Sequence, residues 1–269
     1  MLKLKKKFRI ILIVIFSIIF IYSSYQIVMW AIDNKNISNQ TDNIDSITDI
    51  KEVEDNENTD IIEQGEIDKS NPYWDYIKMN LIEVDFKELK EINPHTKAWL
   101  QVNGTNINYP VVQAYNNEYY LQHAFDRSKN NGGWVFLDYR NKLENNEKNT
   151  IIYAHSRVDK SMFGSLKNIL TSSWIKNTDN YVVKLSTEYE NTLWQVFSVY
   201  RIPTTSDYLQ ISFNTDGEYQ NFINLLKNRS QHDFNTNVEV SDRILTLSTC
   251  YNNDDKVVLH AKLIKREPR

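Results

Sequence analysis

From residue 98 onward the chain is broken into eight short apolar or alternating runs, at 98–102, 107–112, 133–138, 150–155, 181–186, 192–202, 244–250 and 256–264, separated by Asn, Asp, Gly and Lys turns. Alternation puts one face of a strand in oil and leaves the other for a second layer, and many short strands at this spacing avoid open edges by closing on themselves. The expected fold is therefore mainly β, a barrel with peripheral helices. One long helix interrupts the strands before the run at 244–250. Tyr219, Phe222, Ile223 and Leu226 fall at i, i+3, i+4 and i+7 behind a Thr215-Asp216 start signal, a stripe read as core packing. A second helical reading covers 71–91, where Tyr73, Trp74, Ile77 and Leu81, then Phe86, Leu89 and Ile92, come near helical spacing before Pro94.

The N-terminal part is of another kind. Lys3, Lys5, Lys6, Lys7 and Arg9 precede a largely apolar stretch from Ile10 to Ile32, long enough to cross a bilayer as a helix, which takes roughly 20 residues. The basic flank predicts a cytoplasmic N-terminus with everything beyond residue 32 outside. A cleaved signal peptide would show a shorter apolar core and small residues at its end, whereas Tyr25, Met29 and Trp30 stand there. Residues 33–69 carry twelve acids against three bases with no sustained apolar period. The expected organisation is thus an anchor over 1–32, an acidic flexible tether over 33–70, and a single folded domain over 71–269.

Charge and composition exclude several functions. Residues 70–269 hold 23 bases and 23 acids, without the basic surplus expected of a nucleic-acid binder. Five histidines (His95, His123, His155, His232, His260) form no HExxH pattern, and one cysteine permits neither an internal disulfide nor a Cys-x-x-Cys pair, so no metal is expected. No phosphate-binding glycine loop occurs, and no cofactor is implied.

The chemistry that remains centres on the lone thiol. Cys250 ends the run Ile244-Leu245-Thr246-Leu247-Ser248-Thr249-Cys250, and alternation puts Ile244, Thr246, Ser248 and Cys250 on one face. The alternative is a buried structural cysteine. A nucleophilic thiol needs a base within hydrogen-bond reach and a cation or donor for the oxyanion. His155, at the mouth of the run 150–155, is the candidate base. His260, in the middle of its run, reads better as a packed core histidine.

TLSTC at 246–250, NTIIYAHS at 149–156 followed by Ser161-Met162-Phe163-Gly164-Ser165-Leu166, and YPVVQ at 109–113 followed by Asn117-Glu118-Tyr119-Tyr120-Leu121 together resemble a class B sortase over residues 72–265. The resemblance implies an eight-stranded sortase-type barrel with N-terminal helices and an extracellular cysteine transpeptidase of Gram-positive bacteria, held in the cell membrane. Cys250 would attack the Thr carbonyl of an Asn-Pro-x-Thr-x-like sorting signal at the C-terminus of a secreted protein, and a peptidoglycan amine would resolve the thioacyl-enzyme. His155 would be the general acid/base. The family's arginine at the start of the next strand is replaced by Lys256, which keeps the charge but loses the planar fork; Arg201 and Arg243 are less obvious substitutes, and a solvated edge residue is the plain alternative. Ala154 stands where the family has glycine. By position the substrate groove would take Asn117, Leu121, Tyr153, Thr204, Tyr208, Leu209 and Ser248. Core positions for Tyr153 and Leu121, and a plain turn for Thr204, stand as alternatives. Two rival functions follow from the lysine and the chemistry: a non-catalytic peptide-binding surface module, and a cysteine hydrolase that passes the acyl group to water.

Overall fold

A computed structural model describes residues 6–62, 68–145 and 147–269. Each of the eight runs is a strand: β4 (Thr96–Val102), β5 (Asn108–Val112), β6 (Phe136–Leu137), β7 (Asn149–Tyr153), β8 (Val182–Thr187), β9 (Glu190–Pro203), β10 (Ile244–Cys250) and β11 (Asp255–Pro268). They follow one another around the sheet as β10-β7-β6-β5-β4-β8-β9-β11, and β11 pairs back to β10, so the barrel closes. The β5–β6 and β7–β10 pairs are parallel and the others antiparallel.

Parity decides what each strand buries. In β10 and β11, Leu245, Leu247, Val257, Leu259, Ala261 and Leu263 enter the main core with Trp99, Val111 and Trp194. Ile244 and Val258 point to the other face, where they meet Phe197, Tyr200, Tyr208 and the Tyr219, Phe222, Ile223 and Leu226 stripe of the long helix. That helix, α5 (Asp216–Arg229), is capped by Thr215, whose side chain accepts from the Glu218 N–H. Each stripe residue contributes up to about 1.5–3 kcal/mol by leaving water. Ile244, Thr246 and Ser248 are thus covered on the barrel's outer face, and Cys250, last in the row, is exposed.

The remaining elements are α1 (Lys6–Ile47), β1 (Ile50–Val53), β2 (Asp60–Ile61), α2 (Tyr73–Tyr76), β3 (Leu81–Val84), α3 (Lys87–Ile92) and α4 (Ser172–Ile175). Two expectations are corrected here. The continuous helix expected over 71–91 is α2, then strand β3, then α3: β3 pairs with β1, and Leu81, Ile82 and Val84 are all buried. The helical spacing was satisfied by chance, because β3's strand partner lies upstream, in the acidic segment. That segment, expected as a flexible tether over 33–70, instead continues α1 to Ile47 and supplies β1 and β2. Asp33, Ile37, Gln40, Ile44 and Ile47 recur at steps of four and three, one stripe of a helix. Ile37 and Ile44 are buried, Asn130 donates to the Asp33 carbonyl (3.0 Å), and Asp126 N–H donates to Gln40 (3.1 Å). Lys3 and Lys5 of the basic end, and residues 63–67 of the acidic segment, lie outside the described residues. The apolar part of α1 is long enough to cross a membrane, and its side chains from Ile10 to Ile32 are mostly exposed.

Candidate active site

Where α5's cover ends, a cleft of about 650 Å³ opens along the exit of β10 and β7. It is lined by Cys250, His155, Lys256, Asn117, Leu121, Tyr153, Thr204, Tyr208, Leu209 and Ser248, so all ten side chains singled out from the sequence meet in one place. Five different segments deliver them.

Strand pairing accounts for most of the convergence. Cys250 and Lys256 are Cα partners at the turn end of the β10–β11 hairpin, and the Lys256 ammonium donates to the Cys250 sulfur at 3.0 Å. On the other side β10 runs parallel to β7 with Ser248 opposite Tyr153, so the chain leaving β7 brings His155 to the cysteine's end of the sheet. Thr249, on the face opposite Cys250, donates to the Ala154 carbonyl at 2.7 Å and fixes the backbone just before the histidine. The ring is held from above. Its Nε2 lies 2.8 Å from the Leu121 carbonyl, which can only accept, so Nε2 is the donor in this bond and Nδ1 is the ring nitrogen left for the reaction. Gly133 packs behind it: φ is +62°, and a Cβ there would fall 2.8 Å from His155 Cδ2 and 2.5 Å from the Tyr120 carbonyl oxygen.

The floor is polar and buried. Tyr208 and Ser248 share a hydrogen bond of 2.9 Å, and burial raises the Tyr208 phenol above its ordinary range. Thr204 is tied through its N–H and hydroxyl to the Asp254 carbonyl at 2.8 and 2.9 Å. Neither alternative arginine lines the cleft. Arg201 bonds Asp255 and lies 3.9 Å from the centre of the Tyr251 ring, bracing the hairpin. Arg243, at the far end of β10, pairs with Glu190 at 2.6 Å. His260 is fully buried between Tyr200 (2.8 Å) and Thr246 (2.9 Å), and burial pulls its pKa down to about 3, so it stays neutral and structural. Among the described residues no group of three His, Cys, Asp or Glu side chains is gathered as a metal site would require.

A Sortase domain family model matches residues 100–264. The chain is 37% identical over 184 residues to Sortase B of Staphylococcus aureus (67% of this chain, 75% of that one) and 34% identical over 188 residues to Sortase B of Listeria monocytogenes (68% and 75%). Among solved structures, a Staphylococcus aureus sortase B–substrate complex superposes with a TM-score of 0.63 at 36% identity, covering 67% of this chain and 84% of that one. A sortase B complexed with triglycine gives 0.63 at 36% (67% and 85%), and a Bacillus anthracis protein described as similar to sortase B gives 0.67 at 32% (88% and 98%). The chain belongs to the class B sortases. It is accordingly a sortase-type cysteine transpeptidase built on the family's eight-stranded barrel.

Ala154 and Thr249, from the NTIIYAHS and TLSTC blocks, also line this sortase's cleft, and so do Phe136, Thr205 and Ser206, which carried no signal in the sequence. Asp138 and Arg140 lie just behind its wall: the Asp138 carboxylate is fully buried and accepts from Arg140, Asn117 and Tyr153. An Asp-Tyr-Arg-Asn sequence after a strand reads as a solvated turn, and only the fold shows that its carboxylate turns inward.

Proposed function

We propose that this sortase cleaves an extended Asn-Pro-x-Thr-x-like sorting signal after threonine and transfers the acyl part to an amine of peptidoglycan. The single observation that carries the reading is the exposed Cys250 sulfur, 3.0 Å from the Lys256 ammonium, in a cleft that His155 also lines. The Cys250 thiol passes its proton to His155 as the sulfur forms a bond to the threonine carbonyl carbon, and the carbonyl electrons move onto oxygen. Lys256 is the nearby cation for charge developing on sulfur and on that oxygen. As the oxyanion collapses the C–N bond breaks, and His155 gives the leaving nitrogen its proton, leaving a thioacyl-enzyme. An incoming amine then attacks the thioester, His155 takes its proton, and the sulfur is released. The triglycine found with another sortase B is in keeping with an amine acceptor. Asn117, Leu121, Tyr153, Thr204, Tyr208, Leu209 and Ser248 form the walls that would hold the peptide.

The apolar stretch of α1 is read as a single-pass membrane anchor, with a cytoplasmic N-terminus and an extracellular catalytic domain. Its partners are then secreted proteins bearing the signal and the wall amine.

The test is to trap the intermediate. Incubation of the chain with a sorting-signal peptide should add the acyl fragment's mass to Cys250, and an added amine should discharge it as an amide. Cys250→Ala should abolish both while the protein stays folded. Peptide binding without any adduct would favour the non-catalytic module. Discharge only to water, even with amine present, would make the enzyme a hydrolase.

A further inference from the structure

Three groove residues from distant segments are tied to one carboxylate that does not itself line the cleft. Asn117 comes from the loop after β5, Tyr153 from the end of β7, and Leu209 from the connection between β9 and α5. The Asn117 amide and the Tyr153 hydroxyl each donate to Asp138 Oδ2 at 2.9 Å. Arg140 donates to the same carboxylate through Nε and Nη2, both at 2.8 Å, and through its backbone N–H at 3.0 Å. Its Nη2 also donates to the Leu209 carbonyl at 2.9 Å, carrying the tie across to the third segment. Asn117 closes the circuit by accepting from the Tyr139 N–H at 2.9 Å.

Chemistry makes this a clasp rather than a set of separate bonds. Asp138 is fully buried, which alone would raise its pKa, yet the donors from Arg140, Asn117 and Tyr153 outweigh burial and hold the carboxyl below its ordinary value. An ionised carboxylate with five donors has no spare geometry, because moving any one of them weakens the rest. Tyr153, half-buried beside that negative charge, is kept protonated and therefore keeps donating. We infer that Asp138 and Arg140 are positioning residues that set the separation of the groove walls, and through it the affinity for extended peptide, without touching the reacting atoms. This rests on the cleft being the peptide site proposed above.

The experiment uses the full chain in detergent and compares Asp138→Asn and Arg140→Gln with the parent. KM and kcat are measured for an Asn-Pro-x-Thr-x peptide, together with the rate at which iodoacetamide alkylates Cys250. A clasp predicts a KM raised roughly tenfold, with kcat and alkylation within about twofold, and a smaller KM change for Arg140→Lys than for Arg140→Gln. Should Asp138→Asn fail to fold, Tyr153→Phe deletes only the phenol's bond to the carboxylate and should still raise KM by about threefold or more. Unchanged KM in the folded variants overturns the clasp and leaves the cleavage reading standing. A matched fall of kcat and alkylation also overturns it, since the network would then support the nucleophile. A parent that neither cleaves nor binds the peptide sinks the groove reading, and the clasp with it.

Discussion

Replacing Lys256 by methionine removes one charge and little length, and so isolates what the ammonium does. Its nitrogen lies 3.0 Å from the Cys250 sulfur. Unit charges at that distance attract by about 1.4 kcal/mol in bulk water and by about 5.5 kcal/mol at an effective permittivity of about 20. The sulfur is exposed and Lys256 only half-buried, so the screened end of that range applies. A loss of about 1.4–3 kcal/mol corresponds to roughly ten- to hundredfold in rate. Lys256→Met should therefore lower kcat/KM for a sorting-signal peptide by that factor, and should slow alkylation of Cys250 in the same direction. Lys256→Arg keeps the charge and should stay within about fivefold of the parent. Should Lys256→Met cleave peptide and react with iodoacetamide within twofold of the parent, the lysine has no share in the chemistry and the cation must come from elsewhere.

Two further outcomes follow from the geometry. Thr249→Val removes the hydroxyl that satisfies the Ala154 carbonyl, so unfolding free energy should fall by about 1–3 kcal/mol in urea titration, and kcat should drop more than KM rises as His155 loses its backbone brace. His260 binds a proton at about pH 3 when folded, against an ordinary value of 6.5, so between those limits the unfolded chain holds the extra proton. Its contribution to stability is intact above about pH 6.5 and is lost as pH falls toward 3, by up to about 1.4 kcal/mol per pH unit. His260→Gln should flatten the fall of the urea midpoint between pH 6 and 4; parallel slopes in parent and variant would reject this account.

How far the sequence could be read depended on whether the information was local. All eight barrel strands were visible, because each carries its own alternation and its own turn. The α5 stripe and its Thr215 cap were visible for the same reason. Strand parity also placed Ser248 beside Cys250. What escaped was decided by partners far along the chain. Leu81 to Val84 satisfies a helix as well as a strand until Ile50–Val53 pairs with it, and the acidic character of 33–70 hid an Ile37, Ile44 and Ile47 stripe diluted by Asn, Asp and Ser. Asp138 and Arg140 were illegible for a different reason: a buried carboxylate and a solvated one are spelled alike, and only the convergence of Asn117, Tyr153 and Leu209 separates them.

Helix α1 has a mechanical consequence. A disordered arm of the length of residues 33–70 would let its cargo wander over about 35 Å, by the random-coil estimate of roughly 5–6 Å times the square root of residue number. Here Asp33, one residue beyond the apolar stretch, already holds Asn130 and Asn131. Were that stretch embedded in a bilayer, as proposed above, the enzyme would stand on a stiff stalk rather than a leash. Its cleft would then be presented at one fixed height, and the reactants would have to drift laterally to meet it.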